Sequence, residues 1–280
     1  MQVNTLAEQL FFTTVPIKTV LSNGVGSGTG FFVEHKIGNE TYLFIVTNKH
    51  VIAGGHEWQL PFTKKDTDQP SIGNGFTLTL NPSDSSPWFG HPDPNIDVAV
   101  CPLVPLLSAM RDTFGVEVFF RSISTSLIPT LSQIQELDAL EPVTFVGYPN
   151  GIWDSKNLLP VVRRGTTASP LAVDFDGTPC FVIDASVFGG SSGSPVFVMS
   201  QGSWTDKRGT LVIGSRFFFV GLIAAVFFRT ELNQIISVPI PTLDQPMAEQ
   251  KEMIDLGVVF KARTVVECIE AFLRSVGVNP

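Results

Sequence analysis

Along the chain, apolar residues come in short alternating or continuous runs, broken every few positions by Gly, Asn, Asp and Pro. Runs of this kind predict strands, because strand side chains alternate between two faces and the breakers supply turn conformations. A first series covers residues 30–33, 42–47, 76–80 and 97–102. A less regular stretch follows Leu103, with 110–116 and 132–140 as short helical or linker pieces. The second series covers 143–147, 158–166, 180–184, 194–198, 211–213 and 220–228. Near the end the period changes: Val265, Val266, Ile269, Phe272 and Leu273 recur at helical spacing and predict an amphipathic helix over 262–276. Two strand series and a closing helix predict two all-β units, with no βαβ alternation.

The most apolar run, 217–228, lies between Arg216 and Arg229. As a helix it would reach about 18 Å, short of the roughly 30 Å of a bilayer core. It is therefore expected as buried strand, and no membrane partner is expected. Composition sharpens the picture: 44% of the 280 residues are hydrophobic, only 16% are charged, and Phe occurs 23 times. Such a chain can bury a large core. A net charge of −8 argues against nucleic acid as a partner, since sequence-independent binding needs a basic surface. Three scattered cysteines, Cys101, Cys180 and Cys268, make no CxxC pair, and an odd number leaves a free thiol. With no signal-like pattern in residues 1–20, the expected location is cytoplasmic.

The chemistry concentrates in Gly189-Gly190-Ser191-Ser192-Gly193-Ser194-Pro195. A serine held between glycines ahead of a strand can present its hydroxyl on a tight turn. Glycine also lets successive N–H groups aim at one point, which a nucleophilic serine needs for the oxyanion it creates. Alone, the motif is as readily a plain Gly/Ser loop. A serine nucleophile requires a base, and there are four histidines. His50 follows the apolar run 43–46 and precedes the small-residue turn Ala53-Gly54-Gly55, so a rigid strand places it. His56 lies in a more polar, loop-like context, and His35 and His91, among charged and turn-forming neighbours, read as surface residues. Asp97 is set into the apolar segment Ile96–Val100, where a buried carboxylate needs a specific partner such as an imidazole N–H. A strand-entry turn is the plainer role for an aspartate there.

Taken in order, His50, Asp97 and Ser192 resemble the triad of the trypsin-like (chymotrypsin-fold) serine peptidases. Gly28-Thr29-Gly30-Phe31 resembles that family's G-S/T-G-F strand, Thr47-Asn48-Lys49-His50-Val51 its T-x-x-H-V/C motif, and Asp97-Val98-Ala99 its D-hydrophobic-A block. Residues 184–195 and the turn Gly147–Gly151 are closest to the bacterial HtrA-type and glutamyl-endopeptidase-like branches, without a PDZ domain. The resemblance covers roughly residues 20–260. It implies two six-stranded antiparallel β-barrels and a C-terminal helix: an N-terminal segment 1–20, a first barrel 21–125, a second barrel 126–260 and a helix 261–280.

Carried across by position, Ser192 is the nucleophile, His50 the base and Asp97 its orienter. The N–H groups of Gly190 and Ser192 form the oxyanion hole. The pocket base falls at Ser186, with Ala224, Ala225 and Val226 along one wall. No carboxylate stands at that base, so Arg and Lys are disfavoured and an uncharged or aliphatic residue is expected before the scissile bond. Ser191 stands where digestive relatives carry Asp and bacterial ones usually Asn, which disfavours activation by a freed N-terminus. The implied function is a bacterial, cytoplasmic serine endopeptidase acting on protein or peptide without metal or cofactor, restrained by a regulatory protein partner. The alternative is a catalytically silent scaffold of the same fold, and a third reading is an acyl transferase using the same triad.

Overall fold

The computed structural model describes residues 2–82, 86–234 and 247–280. The first half carries β1 (Thr14–Leu21), β2 (Gly24–Ile37), β3 (Glu40–Thr47), β4 (Glu57–Asp66), β5 (Gln69–Leu80), β6 (Phe89–Gly90), β7 (Ala99–Pro102) and β8 (Ile123–Ser124). Helices α1 (Leu6–Leu10), α2 (Lys49–Ile52), α3 (Leu103–Phe114) and α4 (Leu131–Glu136) punctuate it. Two-residue connections at Ser22-Asn23, Gly38-Asn39 and Thr67-Asp68 fold β1–β2–β3 and β4–β5 into antiparallel hairpins.

The second half carries β9 (Pro142–Gly147), β10 (Val161–Thr167), β11 (Cys180–Asp184), β12 (Pro195–Ser200), β13 (Ser203–Thr205), β14 (Leu211–Ile213), β15 (Arg216–Gln234) and β16 (Met247–Lys261), then α5 (Arg263–Ser275). Six of these strands close a barrel in the order β10-β11-β16-β15-β12-β9. The first half is an eight-stranded sheet ordered β5-β4-β1-β2-β3-β7-β6, with β8 parallel to β2. No ladder joins β5 to β6 among the described residues, so closure in hydrogen bonds belongs to the second half alone.

β1 and β4 interrupt their apolar runs with Pro16 and Pro61, a residue that argues against a strand reading, yet both pair on two sides. α3 begins directly after β7, earlier than the expected 110–116. Its Pro105 falls in the first helical turn, where no intrahelical N–H bond is lost, and Leu103 and Met110 are its buried residues. The apolar run 217–228 is strand, with Phe219, Leu222 and Ile223 wholly buried. No described helix is long and apolar enough to cross a membrane.

One core spans both halves. Phe31, Phe44 and Val46 of the sheet pack with Phe197, Phe219 and Leu222 of the barrel, and α5 adds Val265, Cys268 and Ile269. Phe31 meets Phe219 edge-to-face at 5.4 Å. Phe272 of α5 takes Phe44 and Phe89 the same way, each at 5.7 Å. The helix thus clamps the first-half sheet although it follows the barrel in sequence. Truncating Phe31→Ala removes a fully buried ring at this shared layer and is expected to cost about 3–5 kcal/mol. Urea denaturation checks it; a loss below about 1 kcal/mol would show that the layer is not central.

Candidate active site

β3 ends at Thr47 and the chain turns at once into the single-turn helix α2, putting His50 at the rim of the sheet. Asp97 arrives on the segment before β7, which pairs with β3 in the register Thr47↔Ala99. This pairing brings two residues 47 apart in sequence into contact. Asp97 Oδ1 accepts the His50 backbone N–H at 3.1 Å, and Oδ2 lies 2.5 Å from His50 Nδ1. One carboxylate therefore fixes both the main chain and the ring of the same residue. An ionised carboxylate only accepts, so Nδ1 carries the proton and Nε2 is left as the acceptor nitrogen of the ring. Asn48, wholly buried, donates from Nδ2 to the Asp97 carbonyl at 2.6 Å and anchors the aspartate's own main chain.

Asp97 is less enclosed than the sequence suggests: its side chain is 27% exposed and that of His50 is 49% exposed. Nor are His35 and His91 simply surface residues. His91 has a side chain only 8% exposed, because α5 covers it and brings Glu267 to 3.3 Å. His35 is half-buried against Thr125, and burial lowers its pKa. His56 is exposed, with its backbone N–H donating to Val20.

The serine motif forms two linked turns. Ser191 N–H donates to Phe188 O at 3.0 Å, and Ser194 N–H to Ser191 O at 2.9 Å. The third residue of each turn is a glycine, Gly190 at φ +82° and Gly193 at φ +86°. That is the pattern of type II turns, which require positive φ at this place. The three-residue spacing of the glycines is thus set by two turns sharing Ser191. Gly193 has a second reason to lack a side chain: a Cβ there would lie 1.9 Å from the Thr29 carbonyl oxygen. Ser192 sits one residue into the second turn, half-buried. Among the described residues, neither Gly190 N–H nor Ser192 N–H donates to a protein acceptor. The Ser192 hydroxyl is likewise without a hydrogen bond to His50.

Gly193 N–H donates to Ile223 O at 2.7 Å and Ile223 N–H to Ser194 O at 2.9 Å, sewing the turn to β15. The next residues are Ala224, buried, Ala225, exposed, and Val226, half-buried. Irregular register on both sides of Ala225–Val226 bends the strand at this point. Ser186 is half-buried on the segment leading from Ala185 into the turn. Beneath the turn, Arg163 stacks its guanidinium on Phe188 at 5.0 Å and Phe145 at 5.7 Å. Ser191, 1% exposed, has a hydroxyl with no partner among the described residues, where a carboxylate would have needed a buried counter-charge.

Sequence reasoning passed over the residues that hold the two halves of the site together. Thr29 N–H donates to Ser192 O at 2.8 Å, and Thr47 Oγ1 to Thr29 O at 2.8 Å. The signal was available in Gly28-Thr29-Gly30 and Thr47-Asn48, small polar residues set among buried neighbours.

A histidine held at two points by an aspartate on the sheet, and a serine on a glycine double turn at the closed barrel, are features of the trypsin-like class of peptidases. The chain belongs to the trypsin-like peptidase family: the model for the trypsin-like peptidase domain matches residues 28–205. It is a serine-type endopeptidase. Among solved structures, it is similar to the serine endoprotease from Yersinia pestis, with 14% identity and a TM-score of 0.49, over 96% of this chain and 66% of that one. A thermostable serine protease from an extremophilic microorganism gives 13% and 0.45, over 93% and 97%. A scabies mite inactivated protease paralogue gives 13% and 0.45, over 98% and 99%. No curated protein sequence matches the chain.

Gly193→Ala is expected to break the second turn, since neither the backbone of β2 nor the positive φ tolerates a methyl. Labelling by a fluorophosphonate should fall at least about 100-fold, the size of losing an oxyanion donor. Wild-type labelling of this variant would show that the close approach to Thr29 does not shape the turn.

Proposed function

We propose that Ser192, His50 and Asp97 form the catalytic triad of this endopeptidase, with the N–H groups of Gly190 and Ser192 as its oxyanion hole. The observation that carries this reading is the two-point bond from Asp97 to His50 beside a turn whose two N–H donors are left unspent. Ser192 Oγ attacks the carbonyl carbon of the scissile peptide while His50 Nε2 takes its proton. Positive charge then develops on the imidazole, and the Asp97 carboxylate stabilises it through Nδ1–H. Negative charge develops on the carbonyl oxygen, and the N–H groups of Gly190 and Ser192 receive it. Collapse of the tetrahedral intermediate expels the amine, which takes the proton from His50 and leaves an ester on Ser192. Water, deprotonated by His50, attacks that ester and releases the carboxylate product, returning the proton to Ser192.

The residue before the scissile bond enters a pocket with Ser186 at its base and Ala224, Ala225 and Val226 on one wall. None of the four carries a charge, which favours an uncharged or aliphatic side chain over Arg or Lys. The setting consistent with this reading is a bacterial cytoplasm, with a protein partner restraining the enzyme; three buried free cysteines support a reducing compartment.

Fluorophosphonate labelling tests the triad. Wild type should label, while Ser192→Ala and His50→Ala should not. A folded wild type that stays unlabelled would favour the silent scaffold instead. Digestion of a peptide library and of denatured casein by the isolated chain tests the rest. Dominance of Arg or Lys before the cleaved bond would overturn the pocket, and full turnover without an added protein would overturn the restraint.

A further inference from the structure

The hydroxyl of Thr29 is wholly buried at the boundary between the sheet and the barrel, and the mechanism above gives it no part. A threonine hydroxyl can donate once and accept twice. Here all three places are filled from two segments of the second half, the serine turn twice and Tyr148 once. Thr29 Oγ1 donates to Gly190 O at 2.9 Å. It accepts from Tyr148 N–H at 3.2 Å and from Ser194 Oγ at 3.3 Å. The backbone of the same residue adds the bond from its N–H to Ser192 O at 2.8 Å. Both carbonyls of the residues assigned to the oxyanion hole are thus committed to Thr29. The N–H groups of those two residues are the donors left without a protein acceptor.

The Gly190 carbonyl shares its peptide plane with Ser191 N–H, and that plane lies between the two planes that carry Gly190 N–H and Ser192 N–H, so tying it down fixes the inner end of the link to each donor. Gly190 and Gly193 make this control necessary. Glycine reaches positive and negative φ with similar ease, so a turn built on two of them is not held in one conformation by its own sterics. The bond from Thr29 Oγ1 fixes the Gly190–Ser191 peptide from outside the turn. Its three partners leave the hydroxyl no rotational freedom.

We infer that Thr29 is a positioning residue for the oxyanion hole: its hydroxyl, carried on the first-half sheet, locks the Gly190 peptide so that the donors of Gly190 and Ser192 stay aimed at the reacting carbonyl. The inference rests on the assignment of Ser192 as nucleophile. It adds that the hole is not self-contained in the barrel but is completed by a side chain from the other half.

The test is the rate of covalent labelling by a fluorophosphonate, whose phosphoryl oxygen occupies the same hole, separated into a maximal rate and a half-saturation concentration. Thr29→Val keeps shape and removes the hydroxyl; Thr29→Ser keeps the hydroxyl and removes a methyl. Thr29→Val is expected to lower the maximal rate about 10-fold or more, with half-saturation within about 3-fold, as for a loss confined to the transition state. Thr29→Ser should label within about 3-fold of wild type. If Thr29→Val does not fold, Thr29→Cys, whose thiol fills the space but donates weakly, is measured in its place and should show the same fall. A valine or cysteine variant with the wild-type maximal rate overturns the role of Thr29 and leaves the triad standing. So does a serine variant as slow as the valine one, which would mark a packing effect. Labelling of Ser192→Ala at the wild-type rate, or no labelling of wild type, overturns the triad assignment and this inference with it.

Discussion

Ser192 O accepting from Thr29 N–H is the bond on which the geometry of the site turns. His50 and Asp97 ride on the first-half sheet, and Ser192 rides on the turn that opens into β12 of the barrel. Nothing in the local sequence of either half sets the distance between His50 and Ser192, the base and nucleophile proposed above. It is set where the two meet, by Thr29 reaching Ser192 at 2.8 Å and by Thr47, three residues before His50, reaching Thr29 at 2.8 Å. Behind that polar seam lies an apolar layer, Phe31 against Phe219, that excludes water from it. Hydrogen bonds in such a place strengthen with the lower dielectric and are costly to leave unmade. The seam is therefore specific as well as strong: a shifted register between the halves would strand several buried polar groups at once.

This arrangement explains how much was legible in the sequence. The strands carrying β-branched and aromatic runs, such as those at Tyr42–Thr47 and Cys180–Asp184, are plain from their pattern alone. β1 and β4 are not, because Pro16 and Pro61 break the local signal while pairing on both sides supplies what local propensity lacks. The serine turn is legible because its glycines are demanded by backbone conformation, which leaves a trace in residue identity. The exposure of Asp97 is not legible, since it depends on how the segment before β7 lies against β3. Thr29 stands in a motif that the sequence displays, but a hydroxyl's partners are tertiary facts: Gly190, Tyr148 and Ser194 lie more than a hundred residues away.

The same division bears on α5. Its helical spacing is clear in the sequence, whereas its target is not. By closing over Phe44 and Phe89 it binds the last helix to the sheet that carries His50. The barrel is thus gripped from both sides, by β2 at the seam and by the helix on the flank, and the two halves share a single core rather than meeting as separate bodies.

Ser191 has a consequence for how this turn responds to its surroundings. Its hydroxyl is neutral, and the bonds that hold the turn run between peptide groups, Thr29 and β15. None of these hydrogen-bonding groups has a proton to gain or lose near neutral pH, and the turn's charged neighbour, the Arg163 guanidinium on Phe188, keeps its charge. A shift in acidity around neutral pH then leaves these bonds of the proposed oxyanion hole in place for as long as the chain stays folded. What such a hole does feel is mechanical: any ligand or partner that slides the sheet against the barrel moves Thr29 relative to Gly190, and the donors move with it.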